Sequence, residues 1–308
     1  MAHTDHSLVP PPPFPNSFSL FYFTRKVGND SDMSLASLSP YTFGCMSLGT
    51  ELAMNRISED VRVARKAMEA GIWFHCSPTY SRGFSFMILR MAFDQDRTNV
   101  PPLIVKVRDA SPDLMRFEVE DACRRLGIDA IDIAQLVSME RGPDNLLSQL
   151  STGGPIADEL AHLRKRGLIK QAVVFVDKEN SDAGVAAQSS ELVEGITCYW
   201  NAQQRELTPA AWETIQNQNI PLIALRTLAG ASELDSDMTR LLKESDCDDH
   251  VEFALRLQAS YPQVSTTIGG TRNKDHLQRF LDCMNRPALP ESVLEVFEKL
   301  KIGSNPSA

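Results

Sequence analysis

No cysteine in this chain has the spacing of a metal site or a redox motif. The six cysteines (Cys45, Cys76, Cys123, Cys198, Cys247 and Cys283) stand singly, with no CxxC pair. Scattered thiols suit a reducing compartment better than a disulfide frame, and no metal ligand set is assigned. A basic excess is also missing. The formal net charge is -9, so a run of phosphates finds no counter-charge and a nucleic-acid partner is excluded, although one local Arg or Lys can still hold a single anion. No apolar run approaches the ~18 residues of a membrane span, so no membrane partner is expected. The N-terminus lacks a signal peptide's basic start, the first Arg or Lys being Arg25; the expected location is cytoplasmic. A glycine-rich GxGxxG turn is absent as well, since Gly44 and Gly49 fit no such pattern, and this weakens an open dinucleotide-binding sheet.

What is present is an ordinary globular composition. The chain has 308 residues, 43% hydrophobic and 23% charged, enough for one α/β barrel of about 250 residues plus tails. Residues 1–39 read as a Pro-rich leader, partly disordered: Pro10 to Pro13 form an unbroken run that suits neither helix nor inner strand. The aromatic stretch Phe18 to Phe23 is read two ways, as a lid under one barrel end or as a docking element for a protein partner. Residues 40–308 read as one domain.

From Tyr41 onward, short apolar runs alternate with amphipathic helical segments. The strand candidates are Tyr41–Met46, Ile72–His75, Leu103–Val107, Ile131–Val137, Gln171–Val176, Ile196–Trp200, Pro221–Leu225 and Val264–Ile268. The first helix is expected to start with Ser58 as N-cap and to stop at Gly71; a later one has Thr208 as cap and Pro209 at its first position. Strands this short and apolar, each followed by a helix, imply parallel strands covered on both faces. Eight such units close a (β/α)8 barrel more naturally than they form an open sheet, and chemistry then belongs at the C-terminal strand ends.

Two residues at those ends form a physically sensible pair. Tyr80 follows the second strand and Lys106 ends the third. An ammonium beside a phenol lowers its pKa from ~10 and fits it for proton exchange near neutral pH. The plainer reading has Tyr80 packing on the rim and Lys106 reaching to water. Cys76 adjoins His75, but neighbours on a strand point to opposite faces, which argues against an activated thiol. The acidic run Asp246, Asp248 and Asp249 is expected to cap a helix running to Ser260 rather than to bind metal.

Several stretches together resemble the aldo-keto reductases. They are Phe43-Gly44-Cys45-Met46-Ser47-Leu48-Gly49, Ala70 through Tyr80, Lys106, Arg125-Leu126-Gly127-Ile128-Asp129 with Ile131-Asp132, Leu163 through Lys170, and Ile268-Gly269-Gly270-Thr271-Arg272-Asn273. They occur in the family's order between about Tyr41 and Leu281. The resemblance implies NADP(H)-dependent interconversion of carbonyls and alcohols by an Asp, Tyr, Lys and His quartet. Carried over, Tyr80 is the proton donor and Lys106 its activator, while His75 stands at the Asp position and Val137 at the His position. The quartet is therefore incomplete, and His75 either takes over the contact to the carbonyl or only fills space.

The resemblance also implies a cofactor groove. Gly270, Thr271, Arg272 and Asn273 match the phosphate-binding turn, and Arg226 could add a charge to the pyrophosphate. At the nicotinamide end, Phe175, Val176, Thr197 and Leu225 replace the family's usual residues, and Arg279 and Phe280 do so at the adenine end. Three functions follow. The first is an NADP(H)-dependent reductase of an aldehyde, ketone or sugar carbonyl. The second is cofactor-independent acid/base chemistry of an isomerase, dehydratase or lyase. The third is a non-catalytic accessory or regulatory barrel.

Overall fold

The computed structural model describes residues 35, 38–138, 145–228 and 236–300. The Pro run and the Phe18 to Phe23 stretch lie outside the described residues. The core of the fold is a closed barrel of eight parallel strands in sequence order. The strands are β1 Tyr41–Gly44, β2 Phe74–Cys76, β3 Leu103–Arg108 and β4 Ile131–Val137, then β5 Ile169–Phe175, β6 Gly195–Tyr199, β7 Leu222–Leu225 and β8 Val264–Gly269. Each expected strand forms, with ends displaced by at most a few residues.

The outer ring begins with α1 Met54–Glu69, α2 Phe84–Gln95 and α3 Pro112–Leu126. It continues with α4 Leu146–Thr152, α5 Pro155–Lys165, α6 Ser181–Ala186 and α7 Pro209–Gln218. Then come α8 Ser236–Glu244, α9 His250–Ala259, α10 Lys274–Cys283 and α11 Glu291–Lys299. No helix among the described residues is long and apolar enough to cross a membrane.

Local sequence explains most helix starts. Thr208 accepts from the Ala211 N–H at 3.0 Å with Pro209 at the first position of α7, and Asp249 accepts from the Val251 and Glu252 N–H groups to start α9. The expected Ser58 cap is overturned. Helix α1 starts at Met54 behind Ala53, and the Ser58 hydroxyl donates back to the Met54 carbonyl at 2.9 Å. A serine one turn inside a helix satisfies its hydroxyl on the preceding turn and so gives no boundary signal.

Alternation along the strands builds two cores. Outward residues such as Phe43, Phe74, Val105, Leu136 and Val174 pack under the helices. The inward set Ile104, Ile133, Val173, Ile223 and Ile268 forms a second cluster with Trp73, closed by Leu35 and Leu38. Leu35 bears on β6, where a Cβ on Gly195 would lie 2.7 Å from Leu35 Cδ1. Further along the barrel, the inward positions turn polar or aromatic: His75, Lys106, Gln135, Thr197, Tyr199 and Phe175. The registers that set Lys106 beside Gln135 and Phe175 beside Thr197 place these side chains together at the C-terminal end.

Candidate active site

Tyr80 is held by a tight turn that follows β2. It opens a short 3-10 segment, Tyr80–Gly83, in which Ser81 (φ 51°), Arg82 (φ 55°) and Gly83 (φ 88°) are all left-handed. Left-handed backbone costs a non-glycine residue roughly 1 kcal/mol or more, so something must hold Ser81 and Arg82 there. Two contacts do. Ser81 Oγ donates to the Met46 carbonyl at 3.1 Å, and Arg125 Nη2 donates to the Gly83 carbonyl at 2.7 Å.

The turn brings Tyr80 beside Lys106, whose Nζ lies over the phenol ring 5.7 Å from its centroid. The pair expected from sequence therefore does meet at the mouth. Its electrostatics differ from the expectation. Desolvation dominates at Tyr80 and pushes the phenol above its ordinary value, with smaller contributions in the same direction from Cys76, Cys45 and Tyr199. The hydroxyl has no hydrogen-bond partner among the described residues. Lys106 faces the ring, and burial pulls its own pKa down. The phenol is thus a protonated donor next to an amine that has no carboxylate partner among the described residues.

His75 is buried, 4% exposed, and joins a polar chain across the barrel interior. Its Nε2 lies 2.5 Å from Gln135 Oε1, and Gln135 Nε2 donates to Thr197 Oγ1 at 3.1 Å. Desolvation lowers the imidazole to about 4, the Gln135 hydrogen bond opposing and the Lys106 charge assisting. A neutral ring with Nε2 facing an amide oxygen carries its proton on Nε2. That nitrogen is committed to Gln135, so the structure gives no support to His75 reaching the substrate carbonyl through it. The ring stacks edge-on against Tyr80, centroids 5.9 Å apart. Cys76 points away into the outer core, and burial raises its thiol well above the ordinary range.

Beside Lys106 opens a cavity of about 210 Å³ lined by Ser77, Pro78, Thr79, Arg108, Glu118 and Val137. Val137 thus occupies a wall of this space and offers it no hydrogen-bond donor from its side chain. Arg108 is neutralised within the wall, its Nε donating to Glu118 Oε1 at 2.5 Å and its backbone N–H to Glu118 Oε2 at 2.7 Å.

The turn after β8, expected from the sequence to bind phosphate, is more occupied than that expectation allowed. Arg272 Nε donates to buried Asp60 at 2.8 Å, and Nη1 donates to Glu51 at 2.7 Å and to Thr50 at 3.1 Å. Only Nη2 is left without a partner among the described residues. Asn273 caps α10 through the Asp275 and His276 N–H groups, and Thr271 Oγ1 accepts from the Asn273 N–H at 3.0 Å. Gly270 has a packing reason of its own: a Cβ there would lie 2.5 Å from the Gly44 carbonyl oxygen.

Arg226 sits after β7 with a left-handed backbone (φ 57°), its guanidinium 4.1 Å over the Tyr199 ring. Thr227 anchors that bend by donating to the Ile268 carbonyl at 2.9 Å. Arg226 is exposed and has no carboxylate partner among the described residues. Phe175 meets Tyr199 edge-on at 5.4 Å, and both pack against the inward cluster that holds Leu225. Val176, grouped with the groove on sequence, faces outward instead: a Cβ on Gly184 of α6 would come 2.2 Å from its Cγ1. Phe280 is likewise core, edge-on to Tyr41, and Arg279 pairs with Asp249.

Three contributors escaped the sequence reading. Gln135 had a signal, being a polar residue at an inward position of an otherwise apolar strand. Tyr199 had the same inward parity on β6. Asp60 had none, because its partners Gly49 and Arg272 lie 11 and 212 residues away.

No family model matches the chain, and no curated protein does. Solved structures do. An aldo-keto reductase from Bacillus halodurans in its holo form superposes with a TM-score of 0.71 at 19% identity, over 88% of this chain and 95% of that one. An aldo-keto reductase from Klebsiella pneumoniae in complex with NADPH gives 0.69 at 17%, over 85% and 90%. A glycerol dehydrogenase from Gluconobacter oxydans gives 0.69 at 18%, over 88% and 94%. At these identities the likeness establishes the barrel fold that the chain shares with them.

Proposed function

We propose that this chain is an NADP(H)-dependent oxidoreductase of the aldo-keto type, acting on the carbonyl of an aldehyde, ketone or sugar. The observation that carries the reading is the placing of Tyr80 against Lys106, with Nζ 5.7 Å from the ring centroid, at the C-terminal mouth of the barrel. Relatives in fold solved with NADPH, such as the Klebsiella pneumoniae protein, support it.

The residues fit the phosphate end of the dinucleotide. Arg226 is a cation with no carboxylate partner among the described residues, and Arg272 keeps Nη2 with two N–H donors for a phosphate oxygen. The bound nicotinamide would supply hydride. The chain's own part is to hold the carbonyl in the cavity beside Lys106 and to deliver a proton from the Tyr80 hydroxyl, which burial keeps protonated. Val137 offers nothing to a developing oxyanion, so polarisation rests on Tyr80 and on the charge of Lys106. With His75 neutral, the lysine has less to hold it charged than a carboxylate would provide.

A second reading has a specific observation behind it. Asp60 and Glu51 already neutralise Arg272, which suits a barrel that works without the dinucleotide, either in acid/base chemistry of an isomerase, dehydratase or lyase or as a non-catalytic accessory subunit docking through its N-terminal segment. Fluorescence titration with NADPH separates the readings. Quenching that saturates in the micromolar range, with turnover of an aldehyde, supports the reductase. No binding at high-micromolar NADPH overturns it in favour of the second reading.

A further inference from the structure

We propose that Lys106 is also a covalent carbonyl site, its Nζ condensing with a small aldehyde or ketone to form an imine at the barrel mouth. The placement of the side chain carries this. Lys106 projects from an inward position of β3 into the 210 Å³ cavity, large enough for a carbonyl compound of a few carbons. It makes no hydrogen bond or ion pair with any described residue, and its Nζ lies over the face of Tyr80, 5.7 Å from the ring centroid. The acid of that cavity wall, Glu118, is spent on Arg108, accepting from its Nε at 2.5 Å and its backbone N–H at 2.7 Å. The side chain at the neighbouring inward position, His75, is neutral, and Val137 closes the other wall.

A lysine gains nucleophilicity when it is desolvated and left without a counter-ion, because the free amine carries the lone pair that attacks. Both conditions hold among the described residues, and burial, by lowering the Lys106 pKa, enlarges the share of free amine that exchanges with the charged form used in the proposed reduction. In the condensation the Nζ lone pair forms the C–N bond while the C=O π pair moves onto oxygen. The oxygen then leaves as water with the two protons lost from nitrogen. Tyr80, a protonated phenol at the same amine, is the side chain placed to carry one of them to the departing oxygen. No redox partner is needed. Once its nitrogen takes a proton from solvent, the imine becomes an iminium that withdraws electrons from the adjacent carbon, which gives the barrel an entry to α-proton exchange that does not pass through nicotinamide.

The experiment is reductive trapping without nicotinamide. The full chain is incubated with millimolar dihydroxyacetone at pH 7, treated with borohydride and mapped by peptide mass spectrometry. The expected result is one principal adduct on Lys106, at least tenfold above that on Lys165, Lys274 or Lys299. It should disappear in Lys106→Arg and form several-fold more slowly in Tyr80→Phe, with far-ultraviolet circular dichroism confirming that both variants fold. Labelling of Lys106 no greater than that of those other lysines overturns the proposal, whatever the NADPH titration shows. Should Lys106→Arg fail to fold, protection of Lys106 in the wild-type chain against a slow amine acylating reagent by dihydroxyacetone, but not by glycerol, decides the matter.

Discussion

Arg272 Nε donates to Asp60 Oδ1 across 2.8 Å, tying the turn after the last strand to a fully buried carboxylate on the first helix. The same carboxylate accepts the Gly49 N–H at 2.8 Å, so it secures two loops at the mouth while neutralising the Arg272 guanidinium. On the proposed reading, dinucleotide binding at this turn therefore depends on how a phosphate competes with Asp60 and Glu51.

Removing the exposed competitor should favour the dinucleotide. Glu51→Gln is expected to tighten NADPH binding by about two- to fivefold, with stability changed by less than about 0.5 kcal/mol because the Glu51 pair is exposed. Asp60→Asn should also raise affinity but destabilise the fold by about 1–3 kcal/mol, since it disturbs a buried acceptor of two hydrogen bonds. Paired fluorescence titration and urea unfolding of the two variants check this. Unchanged or weaker binding in Glu51→Gln would sink the phosphate role of Arg272.

On the proposed reading, Tyr80→Phe removes the proton donor and little else. Carbonyl reduction should fall by about 10² to 10⁴, the usual worth of a positioned general acid. Stability should stay within about 0.5 kcal/mol, because the hydroxyl makes no hydrogen bond with a described residue. Steady-state kinetics at saturating NADPH, together with a thermal melt, give both numbers. Retention of wild-type kcat would remove Tyr80 from the chemistry.

The interior chain from His75 to Thr197 makes a stability prediction of its own. Gln135→Leu strips a partner from both neighbours and leaves a buried imidazole N–H unpaired. The expected cost is about 2 kcal/mol, that of leaving a buried polar group unsatisfied, read as a lowered urea midpoint with unchanged slope. A midpoint equal to wild type would mean that the hydrogen bonds contribute nothing net.

His75 also sets an acid limit. Its folded pKa is about 4 against an ordinary 6.5, with burial as the main cause. Between those values the unfolded chain binds a proton that the folded chain does not, so stability falls as pH falls from 6.5 toward 4 and is flat above 6.5 with respect to this group. The integrated loss is about 3 kcal/mol at 1.36 kcal/mol per unit. Urea unfolding of wild type and His75→Gln from pH 4 to 8 should show the slope shrinking in the variant over that window alone.

Much of the fold could be read in advance for a definite reason. Runs such as Ile131–Val137 and Leu103–Val107 carry apolar residues on both faces because a parallel barrel strand is covered on both, and that pattern needs no distant partner to be recognised. Thr208 with Pro209, and Asp249, marked their helices because a cap acts on N–H groups two or three residues away. Ser58 misled because the same residue type satisfies itself equally well one turn inside a helix. Val176 misled because strand parity, together with Gly184, turns it outward.

The barrel was thus determined by the sequence alone, through local periodicity and strand order, which also put Tyr80 and Lys106 at strand ends while leaving open whether they pair. The chemical state of the site was decided only by the tertiary structure. Whether Arg272 is free or neutralised depends on Asp60, 212 residues away. The neutrality of His75 and the raised phenol of Tyr80 come from desolvation. Desolvation and long-range pairing are properties of the closed barrel, since both require side chains from several strands to surround one group and remove its water.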